Sequence, residues 1–211
     1  MQPNNRTPGV ITVWSDISCP WATLALNTLH AAATDRGTPV RIDHRAFPLE
    51  LVNRHPTPRP EHDDEVAAIT AVRPDLDWSP WRADDWAYPV TTVPAMAAVQ
   101  AAKQQGLDAA DALDTALRRA YFVGQRCISL LPVIEDVARE CAAVDADALV
   151  EALRCGAGLA AVSADLDLAR GGEVQGSPHL WTSDGPFAAN PGVGDVEHFT
   201  EYDDRWTDRL L

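Results

Sequence analysis

Among the side chains able to act as nucleophiles, Cys19 has the most informative surroundings. It follows the apolar run Val10–Trp14 and the break Ser15-Asp16-Ile17-Ser18, and it precedes Pro20 and a set of apolar positions at helical spacing. A thiol where a strand ends and a helix begins faces unpaired backbone N–H groups and the positive end of the helix dipole. Both favour the thiolate, so the sequence predicts a Cys19 pKa below that of a free thiol. A thiolate is the attacking species in disulfide exchange and in thiol conjugation. Asp16 can cap or orient this turn, but a carboxylate close to the thiolate also opposes its ionisation. Trp21 either shields the thiolate or packs inward.

The other cysteines are Cys127, Cys141 and Cys155, and none forms a Cys-x-x-Cys pair, so a zinc ribbon has no support. Cys127 reads as a half-buried small residue in a loop before a helix. Cys141, on an apolar helix face, and Cys155, at a helix end, read as core or near-core. The acidic run Glu61-His62-Asp63-Asp64-Glu65 lacks the spacing of a cation-binding loop and is expected to be a solvated helix start. Gly192-Val193-Gly194-Asp195 is a weak candidate for presenting N–H groups to an anion. His179 follows Pro178, while His30, His44, His55 and His198 show no ligand spacing. No Ser-His-Asp order, phosphate loop or His-Glu-x-x-His motif is present.

The elements that must hold Cys19 follow from periodicity. Val10–Trp14 has the length of a buried strand. Trp21, Leu24, Ala25, Thr28, Leu29 and Ala32 share a helix face that Gly37 ends. Val40, Ile42 and His44 alternate with charged residues as a second strand, which completes a β-α-β unit with parallel strands. From Pro48 to Pro94 prolines interrupt the pattern, leaving one short helix near Asp64–Val72. Trp78, Trp81 and Trp86 are expected to cover the core there, the alternative being that one walls a substrate groove. Helices are expected over Val93–Gln105, from Asp108 to Val123, after a Ser129 cap, after an Asp145 cap, and from Leu159 to Ala169. A hairpin turns at Asp184-Gly185. A last helix would carry Phe199, Tyr202, Trp206 and Leu210 on one face.

The chain has 211 residues and a net charge of −14, with 46% hydrophobic and 23% charged residues, as in ordinary globular proteins. The acidic balance argues against nucleic acid and anionic membrane as partners, since both are bound by clustered Lys and Arg. No run of about 18 apolar residues exists to span a bilayer. The apolar stretch near the N-terminus is shorter than the 7–15 residues of a secretory core, which points to the cytoplasm. Structural disulfides are not expected in that compartment.

The segment Ser15-Asp16-Ile17-Ser18-Cys19-Pro20-Trp21 resembles the active-site segment of DsbA-like thioredoxin-fold proteins. The similarity is to the cytoplasmic FrnE-like branch, which shares its layout with 2-hydroxychromene-2-carboxylate isomerases and kappa-class glutathione transferases. Ala46-Phe47-Pro48-Leu49, Arg119-Ala120-Tyr121-Phe122-Val123 with Ile128-Ser129, and Glu173-Val174-Gln175-Gly176-Ser177-Pro178 resemble further stretches of the family in the same order. The resemblance implies an α/β thioredoxin-like fold with a large α-helical insertion. Residues 1–55 and 172–211 would form the thioredoxin-like part and 56–171 the insertion. It also implies a cis bond before Pro178, with Ser177 and Pro178 facing Cys19, the alternative being an ordinary trans proline before a strand. Cys19 would be catalytic, and Pro20, Trp21, Ser177 and Pro178 would contact substrate.

One departure matters. Two-cysteine members read Cys-Pro-Trp-Cys, and here Ala22 stands in the last position. The implied activity is therefore thiol–disulfide exchange or isomerisation with Cys19 as a monothiol nucleophile, resolved by a low-molecular-weight thiol or by Cys127. The alternative is a glutathione- or mycothiol-like cofactor used for transferase or isomerase chemistry on small hydrophobic molecules. Relatives using glutathione carry Ser at the Cys19 position, which favours exchange here. A non-catalytic binding module is the third reading. No tightly bound cofactor and no metal are implied. The partner would be a thiol or disulfide compound, small molecule or peptide, and the resemblance leaves a homodimer open.

Overall fold

The computed structural model describes residues 2–196 and 198–211. Its centre is a four-stranded sheet in the order β2-β1-β3-β4. Strand β1 (Val10–Ser15) is buried at every position, which is why it reads as a solid apolar run rather than an alternation. It pairs in parallel with β2 (Arg41–Ala46), so the chain between must cross over, and α1 (Pro20–Arg36) does this. Gly37 ends α1 in the left-handed conformation, its N–H reaching Ala33 O and Thr34 O.

On its other side β1 pairs antiparallel with β3 (His179–Thr182), Trp14 opposite His179 and Val13 opposite Leu180. A hairpin leads to β4 (Gly185–Ala189), with Thr182 opposite Gly185. Pro186 lies in this edge strand, where the lack of an N–H is tolerated. The fold is thus a mixed sheet with a helical block inserted between β2 and β3.

That block holds α2 (Leu49–Val52), α3 (Arg59–Val72), α4 (Val93–Ala102), α5 (Leu107–Phe122), α6 (Leu131–Glu140), α7 (Ala146–Arg154) and α8 (Leu159–Ala169). Several local expectations need correction. Helix α3 begins at Arg59, well before Asp64, because Pro58 and Pro60 preset its first turn. Ser129 does not cap α6; Leu130 is the N-cap, and the Ser129 hydroxyl donates instead to Thr91 O. Asp108 lies inside the first turn of α5, behind Gly106. Asp145 does cap α7, accepting from Ala148 N at 3.0 Å. The last helix is only a 3-10 segment, Asp204–Arg209. Asp203 caps it by accepting from Arg205 N, which leaves Phe199 and Tyr202 outside it. Trp78 and Trp81 are core residues, whereas Trp86 is 82% exposed.

One apolar cluster runs from Ile17, Cys19, Trp21 and Leu24 into Val66 and Ile69 of α3, Trp78, and α4 to α7. A second joins the sheet to α1 through Ile11, Val13, Leu26, Leu29, Ile42 and Leu180. The turn carrying Cys19 is therefore packed on the helical block. Each large side chain buried this way contributes roughly 1.5–3 kcal/mol. Helices α4 and α8 meet closely at Gly158, where φ is +85° and an added Cβ would lie 1.9 Å from Ala97 O. Among the described residues no helix is long and apolar enough to cross a membrane.

Candidate active site

Cys19 is the N-cap of α1, with φ −70° and ψ 116°, and Pro20 opens the helix. The Cys19 thiol donates to the carbonyl of Ser177 at 3.1 Å. The Ser177–Pro178 bond is cis. The Ser177 hydroxyl accepts from Asp16 N at 2.9 Å, so one serine touches both ends of the Cys19 turn. Cys19 is only 4% exposed.

This burial overturns the expected pKa direction. Desolvation pushes the Cys19 thiol up to about 12; the Ser177 side chain and the Ala22 N–H pull down, and Glu65 and Asp16 add to the rise. The helix start does favour the thiolate, but loss of water outweighs it. Cys19 in this conformation is a neutral thiol at pH 7.

The turn is built from both sides. Asp16 Oδ1 accepts from Ser18 N at 2.9 Å, Ser18 Oγ at 3.0 Å and Thr92 Oγ1 at 2.8 Å, and Oδ2 accepts from Leu49 N at 2.9 Å. Asp16 thus orients the turn. Burial and the nearby Glu50 raise its pKa, against the pull of these donors. Behind the turn, Arg118 Nη1 donates to Asp16 O (2.9 Å), Ile17 O (3.3 Å) and Thr23 Oγ1 (3.0 Å). Its Nη2 donates to Ser15 Oγ at 2.8 Å, and its Nε donates to Asp114 Oδ2 at 2.6 Å. A buried guanidinium with every edge engaged is the tightest fastening of the strand-to-helix turn.

A narrow cleft opens beside the turn, lined in part by Asp16, Ser18, Glu50, His62, Tyr88 and Thr92. Glu50 accepts from Thr91 Oγ1 at 2.8 Å and Thr92 N at 3.0 Å. His62 Nε2 lies 3.1 Å from Ser18 O and 3.2 Å from Tyr121 Oη. The Ser18 carbonyl can only accept, so Nε2 carries the proton. Nδ1 is left as a buried acceptor with no hydrogen-bond partner, the nearest Asp63 oxygen being 3.9 Å away. Burial lowers the His62 pKa, keeping the ring neutral.

Trp21 packs inward at 6% exposure and donates from Nε1 to Glu65 Oε1 at 2.9 Å, with Phe199 edge-on at 5.0 Å. The acidic run at 61–65 is therefore not simply solvated, because His62 is buried and Glu65 half-buried against Trp21. The signal was available: His62, Val66 and Ile69 share one helical face of α3. Arg118 was also readable, as the partner of Asp114 four residues earlier inside the Leu113–Leu117–Tyr121 stripe of α5.

The remaining sequence candidates lie elsewhere. All four cysteines are free. Cys127 is half-buried between α5 and α6 and does not line the cleft. Cys141 is half-buried at the end of α6, and Cys155 is exposed rather than near-core, because α7 stops at Arg154. Among the described residues no helix begins after the segment 192–195 before the short 3-10 segment Asp204–Arg209, so no helix start is found behind it. His179 is buried, its Nδ1 accepting from Gln175 N at 3.1 Å. His30 and His44 both approach Asp111, at 3.2 and 2.8 Å.

The family model described as a DSBA-like thioredoxin domain matches residues 10–202. No curated protein sequence matches the chain. Among solved structures, a candidate protein disulfide isomerase from Nitrosomonas europaea is 12% identical with a TM-score of 0.71, covering 97% of this chain and 96% of that one. The cytosolic disulfide reductase DsbM from Pseudomonas aeruginosa, with GSH, is 17% identical with a TM-score of 0.63, covering 95% and 96%. A 2-hydroxychromene-2-carboxylate isomerase is 16% identical with a TM-score of 0.58, covering 86% and 89%. At these identities the likeness is one of fold.

Proposed function

The chain belongs to the DSBA-like thioredoxin domain family, and on that premise we propose that it is a thiol–disulfide oxidoreductase or isomerase working through Cys19 as a single-thiol nucleophile. The observation that carries this reading is the Cys19 thiol at the start of α1, 3.1 Å from Ser177 O, with alanine at position 22. Cys19 gives its proton to solvent, and the thiolate attacks one sulfur of a disulfide. That S–S bond breaks, a Cys19 mixed disulfide forms, and the other half leaves as a thiolate. A second thiol then attacks the mixed disulfide, becomes oxidised to a new disulfide, and restores Cys19.

Entry of an extended substrate displaces the S–H···O contact to Ser177. The freed carbonyl pairs with the substrate; Pro20, Trp21 and Pro178 are buried around the sulfur and come into contact with substrate only after that displacement. The same displacement lets water and the N–H groups of α1 reach the sulfur, which brings its pKa back toward the thiolate range. In this reading a low-molecular-weight thiol supplies the second thiol. The cytoplasm is the compartment proposed, in keeping with the description of DsbM as cytosolic.

Burial of Cys19 as a neutral thiol favours one other reading. A neutral S–H at a helix start donates to the thiolate of a bound thiol cofactor, glutathione- or mycothiol-like, for transferase or isomerase work on a small hydrophobic substrate.

Peptide mass spectrometry after treatment with a small disulfide decides. The exchange reading expects an adduct on Cys19 that a small thiol removes, and loss of disulfide turnover in Cys19→Ser. A Cys19–Cys127 disulfide would make Cys127 the resolving thiol. Conjugation surviving Cys19→Ser would support the cofactor reading. A Cys19 that stays unmodified in the folded protein overturns exchange and leaves cofactor use or simple binding.

A further inference from the structure

The Arg118 guanidinium that fastens the Cys19 turn brackets the Cys19 main chain on both sides. Its Nη1 donates to Asp16 O, the carbonyl that also accepts from Cys19 N at 3.3 Å. The same Nη1 donates to Thr23 Oγ1, whose hydroxyl donates to Cys19 O at 3.0 Å. Each main-chain polar group of Cys19 therefore shares a partner with Arg118.

On its far side Arg118 is joined to two histidines. Its counter-ion Asp114 lies 3.6 Å from His44 Nδ1 through Oδ1, the oxygen that also accepts from Arg118 Nη2 at 3.2 Å. His44 Nε2 lies 2.8 Å from Asp111 Oδ1, and His30 Nε2 lies 3.2 Å from Asp111 Oδ2. A carboxylate only accepts, so His44 Nε2 carries a proton. In the neutral ring Nδ1 is then a buried lone pair without a hydrogen-bond partner, facing the carboxylate of Asp114. A second proton turns that opposition into an N–H···O contact. The line ends at the surface, where His30 and Asp111 are half-buried in a groove with Thr34 and Thr38. The other charges packed around His44 are engaged with one another: Asp43 with Lys103 and Arg45, and Arg45 with Asp165 of α8. Lys103 and Gln100 also donate to His44 O.

We propose that His44 is a positioning residue for Cys19, and that proton uptake by the His30–Asp111–His44 cluster favours the Cys19 thiolate through Asp114 and Arg118. This rests on the reading of Cys19 as the nucleophile and names a regulation of that site. When His44 Nδ1–H engages Asp114 Oδ1, it competes with Arg118 Nη2 for that oxygen. The guanidinium is then less neutralised, and more of its positive charge acts on the turn. Asp111 draws a proton to the outer end of the line: burial alone would lower the His30 pKa, but this carboxylate raises it. Acid strips thiolate from an ordinary cysteine about tenfold per pH unit below its pKa. Here the cluster offsets part of that loss around neutrality.

The test reads the thiol directly with methyl methanethiosulfonate, a neutral reagent. The Cys19 thiolate attacks its sulfenyl sulfur, a methyl disulfide forms on Cys19, and methanesulfinate leaves. Rates on the Cys19 peptide are followed by mass spectrometry from pH 5.5 to pH 7.5. A thiol far below its pKa gains about a hundredfold over these two units. The native protein should fall short of that gain by about threefold or more, and His44→Gln should restore it. Asp111→Asn, nearer the surface, is the second variant should His44→Gln not fold, and it should move the profile the same way. A full hundredfold gain in the native protein overturns the coupling while Cys19 stands as the nucleophile. A variant profile parallel to the native one, displaced by a constant factor, also overturns it, because His44 then only holds structure and the shortfall belongs to another group, such as His62 on the Ser18 carbonyl. A Cys19 that does not react at any pH overturns the nucleophile reading itself, and the regulation with it.

Discussion

At the scale of single residues, Cys19 shows how much a thiol's chemistry depends on water. Its place at a helix start was legible because Cys19, Pro20 and the preceding break are contiguous in the sequence. The direction of its pKa was not, because the burial that sets it comes from residues far along the chain, the helical block around Val66, Ile69 and Tyr121 and the Ser177 segment, 158 residues later. With the thiol pushed to about 12 by burial, alkylation of Cys19 by iodoacetamide should keep rising about tenfold per pH unit beyond pH 9. A free thiol levels off near its pKa of about 8.5. A plateau at or below pH 8.5 would show that the helix start dominates after all. Ala22 offers a complementary experiment. Ala22→Cys restores the second thiol of the two-cysteine motif, so mild oxidation should close a disulfide from Cys19 to the new thiol. Free thiols by titration would then fall by two relative to the reduced variant.

At the scale of elements, the active-site turn is fastened by α5. Removing Arg118 leaves Asp114 as an uncompensated buried charge and strips the carbonyls of Asp16 and Ile17 of a donor. Arg118→Met should cost about 3–5 kcal/mol in urea unfolding, as breaking one side of a buried pair does. Adding Asp114→Leu should recover part of that loss, since the orphaned charge goes while the carbonyls stay unmet. Elements with strong local signals, such as the Gly37 stop and the Asp145 cap, were readable from sequence. The irregular segment before Asp204 was not. The apolar spacing of Phe199, Tyr202 and Trp206 fits a helix, but these residues reach their contacts as loop and 3-10 chain, with Trp206 Nε1 donating to Tyr202 Oη at 3.1 Å. Burial, not periodicity, is what that spacing encodes.

At the scale of the whole molecule, pH enters through a join between three elements. His30 of α1 and His44 of β2 both meet Asp111 of α5. Burial alone would raise the Asp111 pKa, but the two histidines hold it below the usual carboxylate range. Burial alone would lower His30, but Asp111 raises it. The Asp111 contribution to stability is present above its unfolded pKa of about 3.9 and is lost as pH falls through the depressed folded value. The His30 contribution is complete below about pH 6.5 and is lost as pH rises through the raised folded value. Urea midpoints should therefore show the native protein losing stability from pH 6 to pH 8 relative to Asp111→Asn. Parallel curves for the two proteins would remove this join from the account. The sequence carried no hint of it, because residues 30, 44 and 111 meet only once the insertion has folded against the sheet.

The pairing of β1 with β3 has a consequence for the order in which the protein is made. The chain leaves the ribosome with Cys19 early and Ser177 late, and the carbonyl that covers the thiol is separated from it by 158 positions. At synthesis rates of about 5–20 residues per second, that is roughly 8 to 30 s in which the nascent chain carries an unsealed thiol. During that interval the sulfur lacks the Ser177 carbonyl that covers it in the finished fold and is more open to whatever oxidant or small disulfide is nearby. The newborn protein and the finished one therefore present two different reactivities at the same atom, and the growing chain is more easily modified than the folded product.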